Sequence, residues 1–158
     1  MKLTQKLVLA AACAGTLAFA GNAVADTTHV IVSVGVQSVC KFATSLYRFG
    51  MGNIDPSTTA DIVRTLPISY RCTNGTPASA IQIDGHDSGY TGQLVPAPST
   101  VGTLPVLLTW ATPATLGNGF GNGVTPITFD LTGIIRAADL QVAQAGPYSN
   151  RFAIILTP

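Results

Sequence analysis

The sequence contains no glutamate, and charged residues of any kind occupy only 9% of its 158 positions. Ordinary soluble domains carry about 25% charged residues. Eight lysines and arginines nearly balance seven aspartates, so the chain lacks the strongly basic surface that nucleic-acid binding requires. Two histidines and no glutamate leave few groups for general acid–base catalysis. We therefore expect neither an enzyme nor a nucleic-acid-binding protein, and we predict no cofactor.

Long apolar runs are also absent, except near the N-terminus, where one run follows Lys2 and Lys6 and extends from Leu7 to Ala20. This run is shorter than the roughly 20 residues that a membrane-spanning helix needs. Ala23-Val24-Ala25 then supplies the small-x-small pattern of a cleavage site. We predict a secretory signal peptide over residues 1–25, and hence export from the cytoplasm. The remainder has the size of one domain.

Two cysteines, Cys40 and Cys72, remain after the predicted signal peptide is removed. An even number of cysteines in an exported chain indicates a disulfide bond. A two-cysteine metal site is the alternative, but His29 and His86 do not stand at ligand spacing from either cysteine. We expect a disulfide and no metal site.

Helix signals are few, whereas short alternating or apolar segments recur between Gly, Pro, Asn and Asp residues. Such spacing is typical of an antiparallel β-sandwich. The segment from Ile134 to Ala145 could form a short helix, but in an all-β chain we expect a strand or a loop there. The predicted strands are 29–38, 40–48, 65–73, 79–84, 104–111, 125–132 and 148–157.

The first of these strands contains four valines at alternate positions: Val30, Val32, Val34 and Val36. In an extended strand, alternate side chains point to the same face. The four valines would therefore form one apolar ridge, which must be buried. The strand either pairs within its own domain or inserts into another subunit, and the residues alone leave both possibilities open.

The densest polar cluster is Asp84-Gly85-His86-Asp87, which could hold a cation or an Asp/His catalytic pair. No Gly-x-Ser-x-Gly nucleophile motif accompanies it, and two aspartates alone do not supply the six to eight oxygen ligands of calcium. Asp-Gly is instead a favoured hairpin pair. We therefore interpret the cluster as a polar turn.

Two other segments invite a functional reading. The segment Gly117–Gly123 contains Gly-x-Gly but opens no helix, so we expect a mobile surface loop rather than a dinucleotide site. Trp110 ends an apolar strand and could bind carbohydrate if exposed. A core or groove-lining position is the more common role for such a residue.

Four segments together make the chain resemble the spore coat protein U domain family, which includes the subunits of archaic chaperone–usher pili. An alternating strand leads directly into a cysteine, from Val30 to Cys40. Tyr70-Arg71-Cys72-Thr73-Asn74-Gly75 contains the second cysteine. Leu131-Thr132-Gly133-Ile134 follows, and Ala145-Gly146-Pro147-Tyr148 opens the terminal strand.

The resemblance implies an immunoglobulin-like sandwich (residues 40–158) that lacks its last strand, preceded by a donor segment (residues 26–39). A periplasmic chaperone would complete the sandwich first. At an outer-membrane usher, the donor strand of the next subunit, about Thr28–Ser38, would replace the chaperone. The four valines would fill the groove, and identical or related subunits would form a surface pilus. The alternative is a secreted coat or matrix protein of the same fold, whose first strand completes its own sandwich.

Overall fold

A computed structural model describes residues 28–96 and 102–158, so the predicted signal peptide lies outside the described residues. The chain divides into two units, residues 1–34 and residues 35–158. All strands and helices found among the described residues belong to the second unit. None of the helices in this part of the chain has the length and apolar character needed to cross a membrane.

Apart from one short helix, the regular secondary structure described in the second unit is antiparallel β-structure, which confirms the all-β prediction. Six strands form a curled sheet in the order β1-β2-β6-β5-β4-β7, and β3 pairs with β8 in a small second sheet. The elements in chain order are β1 (Cys40–Phe42), β2 (Ile62–Cys72), β3 (Ala80–Ile83), β4 (Gly89–Pro96), β5 (Leu104–Thr109), β6 (Ile127–Ile135), α1 (Ala137–Val142), β7 (Tyr148–Ser149) and β8 (Ile154–Thr157).

The alternation of side chains along β6 explains why the six-stranded sheet has one buried face. Ile127, Phe129 and Leu131 are buried, whereas Thr128 and Asp130 between them are exposed. This period of two is the pattern of a strand with one face toward a core and one toward water. Strands β2 and β5 bury alternate residues in the same way, so their apolar side chains meet those of β6 on one side of the sheet.

The disulfide bond between Cys40 and Cys72 is present, as predicted. The two cysteines lie directly opposite each other in the β1–β2 ladder. The bond thus joins the edge strand of the sheet to its neighbour. Cys72 is fully buried within the core.

Trp110 belongs to the core rather than to the surface. Its indole Nε1–H donates a hydrogen bond of 2.8 Å to the carbonyl oxygen of Ile81 in β3. The hydroxyl of Thr112 accepts a hydrogen bond of 3.1 Å from the Ile81 amide. The segment after β5 therefore connects the large sheet to the small one through the N–H and C=O groups of Ile81.

The prediction of a strand or loop at 134–145 is wrong for its central part, where α1 forms. Ala137 and Leu140 are its buried residues, so the helix contributes one apolar side to the domain. The Asp61 carboxylate accepts a hydrogen bond of 2.9 Å from the Ala137 amide. An acceptor for one of the first free N–H groups stabilises a helix start, and this acceptor is 76 residues away in sequence.

Several predicted strand boundaries also differ from the structure. Residues 28–39 belong to no strand, and β1 ends at Phe42 rather than at residue 48. The predicted last strand is split into β7 and β8. Strand β4 was not predicted, because Gly89, Gly92 and Pro96 interrupt its apolar pattern.

Candidate functional site

A cavity of about 1580 Å³, here the central cavity, lies on the inner face of the six-stranded sheet. Its volume exceeds the roughly 300–1,000 Å³ of typical small-molecule sites. Aliphatic side chains from the sheet form its floor: Leu66, Ile68, Leu94, Leu104, Val106, Leu108, Leu131 and Ile135. The floor therefore offers apolar contact without charged groups.

The first wall of the central cavity is the irregular segment from Ser45 to Ile54. Among the described residues, no backbone hydrogen bond involves the N–H or C=O groups of Tyr47–Ile54. Side chains hold this wall instead. The Tyr47 hydroxyl donates to the Ser69 carbonyl oxygen at 2.8 Å and accepts from the Ser69 amide at 3.1 Å. The wall is thus attached to β2 while its own backbone groups stay unpaired.

Phe49 fixes the same wall to the floor by packing on Gly133 of β6. A Cβ atom at Gly133 would lie 2.9 Å from the Phe49 ring and 3.5 Å from the sulfur of Met51. Glycine inside a strand often marks a close approach of this kind. The ring therefore occupies space that any other residue at position 133 would take.

The second wall is the segment between β7 and β8, where Asn150 to Ala153 form no ladder. Asn150 donates through Nδ2 to the Gln93 carbonyl oxygen at 2.7 Å. The Asp84 carboxylate accepts from the Ala153 amide at 2.8 Å. The Phe152 ring packs on Gly92 of β4, where an added Cβ would overlap it. Each wall of the cavity thus places one aromatic ring on one glycine of the sheet.

Strand β8 continues the second wall and has an unpaired edge. It pairs with β3 on one side, and within the described residues no strand pairs with its other side. An edge strand presents a row of N–H and C=O groups that a further strand can bind. Ile154, the first residue of β8, lines the central cavity.

The N-terminal arm (residues 28–38) carries the four predicted donor valines, and all four are exposed. The exposed fraction of Val30, Val32, Val34 and Val36 lies between 80 and 88%. Because burial of a valine side chain lowers the free energy, such exposure destabilises the isolated chain relative to a state in which the valines are buried. The arm therefore offers an unburied apolar ridge.

The cluster from Asp84 to Asp87 is a hairpin turn, as interpreted from the sequence. Asp84 and Gly85 both have positive φ, at 48° and 84°, as the central residues of a type I′ turn require. Ile83 and His86 exchange two backbone hydrogen bonds of 3.0 Å. Asp87 accepts from Gln82 Nε2 at 2.8 Å. The described residues contain no group of three His, Cys, Asp or Glu side chains able to hold a metal ion.

The glycine segment 117–123, predicted as a surface loop, is bound to the turn after β2 through its first residues. Gly117 donates to the Thr76 carbonyl oxygen and accepts from the Gly75 amide, each at 2.8 Å. A Cβ at Gly117 would lie 2.5 Å from the carbonyl oxygens of Cys72 and Thr73. Glycine is required here for close packing of two backbones.

Tyr70 is a core residue of β2 with an unusual hydroxyl group. Its side chain is fully buried, and the hydroxyl has no hydrogen-bond partner. Burial raises the pKa of this phenol above its ordinary value. A buried hydroxyl without a partner costs free energy, so this position is a defined weak point of the core.

Sequence reasoning predicted the disulfide and proposed the valines as donor residues, but it missed the two aromatic–glycine contacts. The glycines at 92 and 133 were the available signal, since a glycine inside a strand suggests a close neighbour. The identity of each neighbour was not readable from the sequence.

Comparison of the chain with models of known protein families, with curated proteins and with solved structures gave no match.

Proposed function

We propose that this protein is a structural subunit of a surface fibre that polymerises by donor-strand exchange. In this proposal, the N-terminal arm of one copy fills the central cavity of the next copy. The observation that carries the proposal is the coexistence, in one chain, of an apolar cavity with unpaired backbone along its wall and an exposed arm with four alternating valines. The cavity can bury the valines of an arm, and the arm can supply apolar side chains and backbone groups to the cavity.

The length of the arm is comparable with that of the longest strand of the sheet. At about 3.3 Å per residue, an extended strand of residues 28–36 is roughly 30 Å long. On the same scale, the eleven residues of β2 span about 36 Å. The inserted arm would therefore match the length of the sheet. Its valines would recur about every 6.6 Å and face the aliphatic floor of the cavity.

The energetics favour insertion of the valine face. Full burial of each valine contributes about 1.5–3 kcal/mol as an upper range. The arm starts at 80% exposure or more at all four positions, so nearly all of this gain is available on insertion. The unpaired backbone of Tyr47–Ile54 and the edge of β8 supply main-chain partners, which is how strand addition gains affinity.

The same features explain the need for assembly partners. A free subunit would expose an unpaired strand edge and an apolar cavity, which is an aggregation hazard. We propose that a periplasmic chaperone protects the cavity and that an outer-membrane usher exchanges this chaperone for the arm of the next subunit. The resemblance to the spore coat protein U domain family supports these partners. Insertion of one copy into the next is a heterologous contact, which builds open fibres rather than closed dimers.

The proposal is tested by introducing charge on the valine face. We expect Val32→Asp with Val34→Asp to abolish polymers while export continues, because two carboxylates would enter an apolar site. The matched control is Ile31→Asp with Ser33→Asp, which adds the same charges on the other face of the arm. The measurement is gel mobility of cell-surface and periplasmic protein, unheated and boiled.

Wild-type protein should give a ladder of multimers that collapses on boiling, and the control variant should keep it. A normal ladder from the valine variant would contradict the proposal. A wild-type protein that is a stable monomer without any chaperone would instead favour the coat or matrix protein whose arm completes its own domain.

A further inference from the structure

The base of the N-terminal arm is bound to the turn after β2, where Thr73 makes most of the contacts. The Thr73 hydroxyl accepts a hydrogen bond of 3.0 Å from the Val39 amide. It also lies 3.1 Å from the carbonyl oxygen of Gln37, to which it can donate. The Thr73 amide donates to the Val39 carbonyl oxygen at 2.8 Å. Residues 37–39 are therefore bound to the domain, whereas Val36 beside them is 80% exposed.

The turn that carries Thr73 is itself braced from several sides. The disulfide bond fixes the preceding residue, Cys72. Cys72 also accepts a hydrogen bond of 3.0 Å from the Gly119 amide. Thr76 donates through its hydroxyl to Ser38 at 3.3 Å, and its amide donates to the Thr73 carbonyl oxygen at 2.9 Å. Thr73 is thus a fixed point on the body of the domain.

We propose that Thr73 is a positioning residue that sets the angle between successive subunits of the fibre. This inference rests on the proposed function. If residues 28–36 are inserted in the neighbouring copy, residues 37–39 are the only covalent connection between the inserted segment and its own domain. Whatever holds residues 37–39 against their own domain then holds the two domains at one angle. The domain whose angle is set in this way is a second copy of the chain.

The hydroxyl group of Thr73 is the part of the side chain that holds residues 37–39. Replacement by valine keeps the shape of the side chain and removes both hydroxyl interactions. Replacement by serine keeps them. A short connection whose internal hydrogen bonds are lost behaves as a more flexible linker, whose length and composition then set its stiffness. The angle between neighbouring subunits should therefore vary more in the valine variant than in the serine variant.

The experiment compares Thr73→Val, Thr73→Ser and wild type, with Thr65→Val as a control that removes an exposed hydroxyl pair with Thr132 on the outer face of the sheet. Electron micrographs of fibres give the bending persistence length. We expect all four proteins to give boiling-sensitive ladders. We expect Thr73→Val to shorten the persistence length roughly twofold, while Thr73→Ser and Thr65→Val keep the wild-type value. An unchanged persistence length for Thr73→Val would overturn the inference.

A second measurement uses the wild-type subunit isolated from the periplasm before it polymerises, and it needs no variant. Amide hydrogen exchange should show a boundary inside the arm, with Val30 to Val36 exchanging at the rate of an unfolded peptide and Val39 protected. Exchange of Val39 as fast as that of Val36 would overturn the role of Thr73. Failure of wild type to polymerise, with the boundary present, would reject the fibre but not the anchoring by Thr73.

Discussion

Replacement of Gly133 by alanine tests how the central cavity obtains its first wall. Gly133 lies in β6 opposite Arg64 of β2, with its backbone in an ordinary strand conformation. An added methyl group would stand 2.9 Å and 3.1 Å from two carbon atoms of the Phe49 ring. Since carbon atoms pack best at about 3.5–4.0 Å, the ring must move by several tenths of an ångström. The sulfur of Met51 lies 3.5 Å from the same point, which is an ordinary van der Waals distance.

Two opposing terms decide the magnitude. Alanine is better than glycine inside a strand by about 0.5–1 kcal/mol, because glycine loses more backbone entropy on folding. Displacement of a packed side chain by an added methyl group costs about 1–3 kcal/mol. We expect the steric term to prevail and the free energy of unfolding to fall by about 1–2 kcal/mol. For a domain of this size, the melting temperature should fall by roughly 4 °C per kcal/mol.

The assay is urea unfolding followed by the fluorescence of Trp110, the single tryptophan of the chain and a buried one. Wild type, Gly133→Ala, Phe49→Ala and the double variant form a cycle that isolates the contact. With Phe49 truncated, Gly133→Ala should be neutral or stabilising by about 0.5 kcal/mol. Equal effects of Gly133→Ala in the two backgrounds would refute the reasoning, because the cost would then not come from the ring.

Three further predictions concern the core and the disulfide. Tyr70→Phe should raise the free energy of unfolding by about 1 kcal/mol, because it removes a buried hydroxyl that has no partner. Burial raises the pKa of Tyr70, so the phenol of the unfolded chain ionises first, from about pH 10, and the free energy of unfolding of wild type should fall as the pH rises through the higher folded pKa. Between about pH 9 and 11, Tyr70→Phe should lose less of its free energy of unfolding than wild type. An equal loss in the two proteins, measured by urea titration, would contradict this expectation. Reduction of the Cys40–Cys72 bond, which spans 32 residues, should lower the free energy of unfolding by about 3–4 kcal/mol, measured by urea unfolding with and without reductant. The double variant Cys40→Ser with Cys72→Ser should not respond to reductant. An unchanged urea midpoint for reduced wild type would contradict the expectation.

The scarcity of charge has a structural counterpart that bears on the proposed fibre. In the part of the chain that the structure describes, the buried side chains belong to apolar and aromatic residues, and none of them is charged. The outer face of the large sheet presents hydroxyl groups, such as the Ser69–Thr128 pair at 3.2 Å. An apolar interior and a nearly neutral hydroxyl surface suit a subunit whose specific contacts are made by an inserted strand rather than by charged patches.

Some features could be predicted from the sequence because they depend on local pattern alone. The alternation of β2, β5 and β6 is a property of neighbouring residues, and so is the Asp84-Gly85 turn. The pairing of Cys40 with Cys72 followed because few alternatives existed. The valine ridge was visible for the same reason, since a period of two requires no knowledge of the rest of the chain.

The tertiary structure decided what depends on residues distant in sequence. Helix α1 begins where Asp61 supplies an acceptor to Ala137, and the local pattern could not show that acceptor. The walls of the central cavity follow from two glycines that happen to face Phe49 and Phe152. The valine segment forms no strand, because strand pairing is a contact between segments and sequence alternation specifies a face but not a partner. Local chemistry therefore determined which segments could be strands, and long-range packing decided which of them found a neighbour.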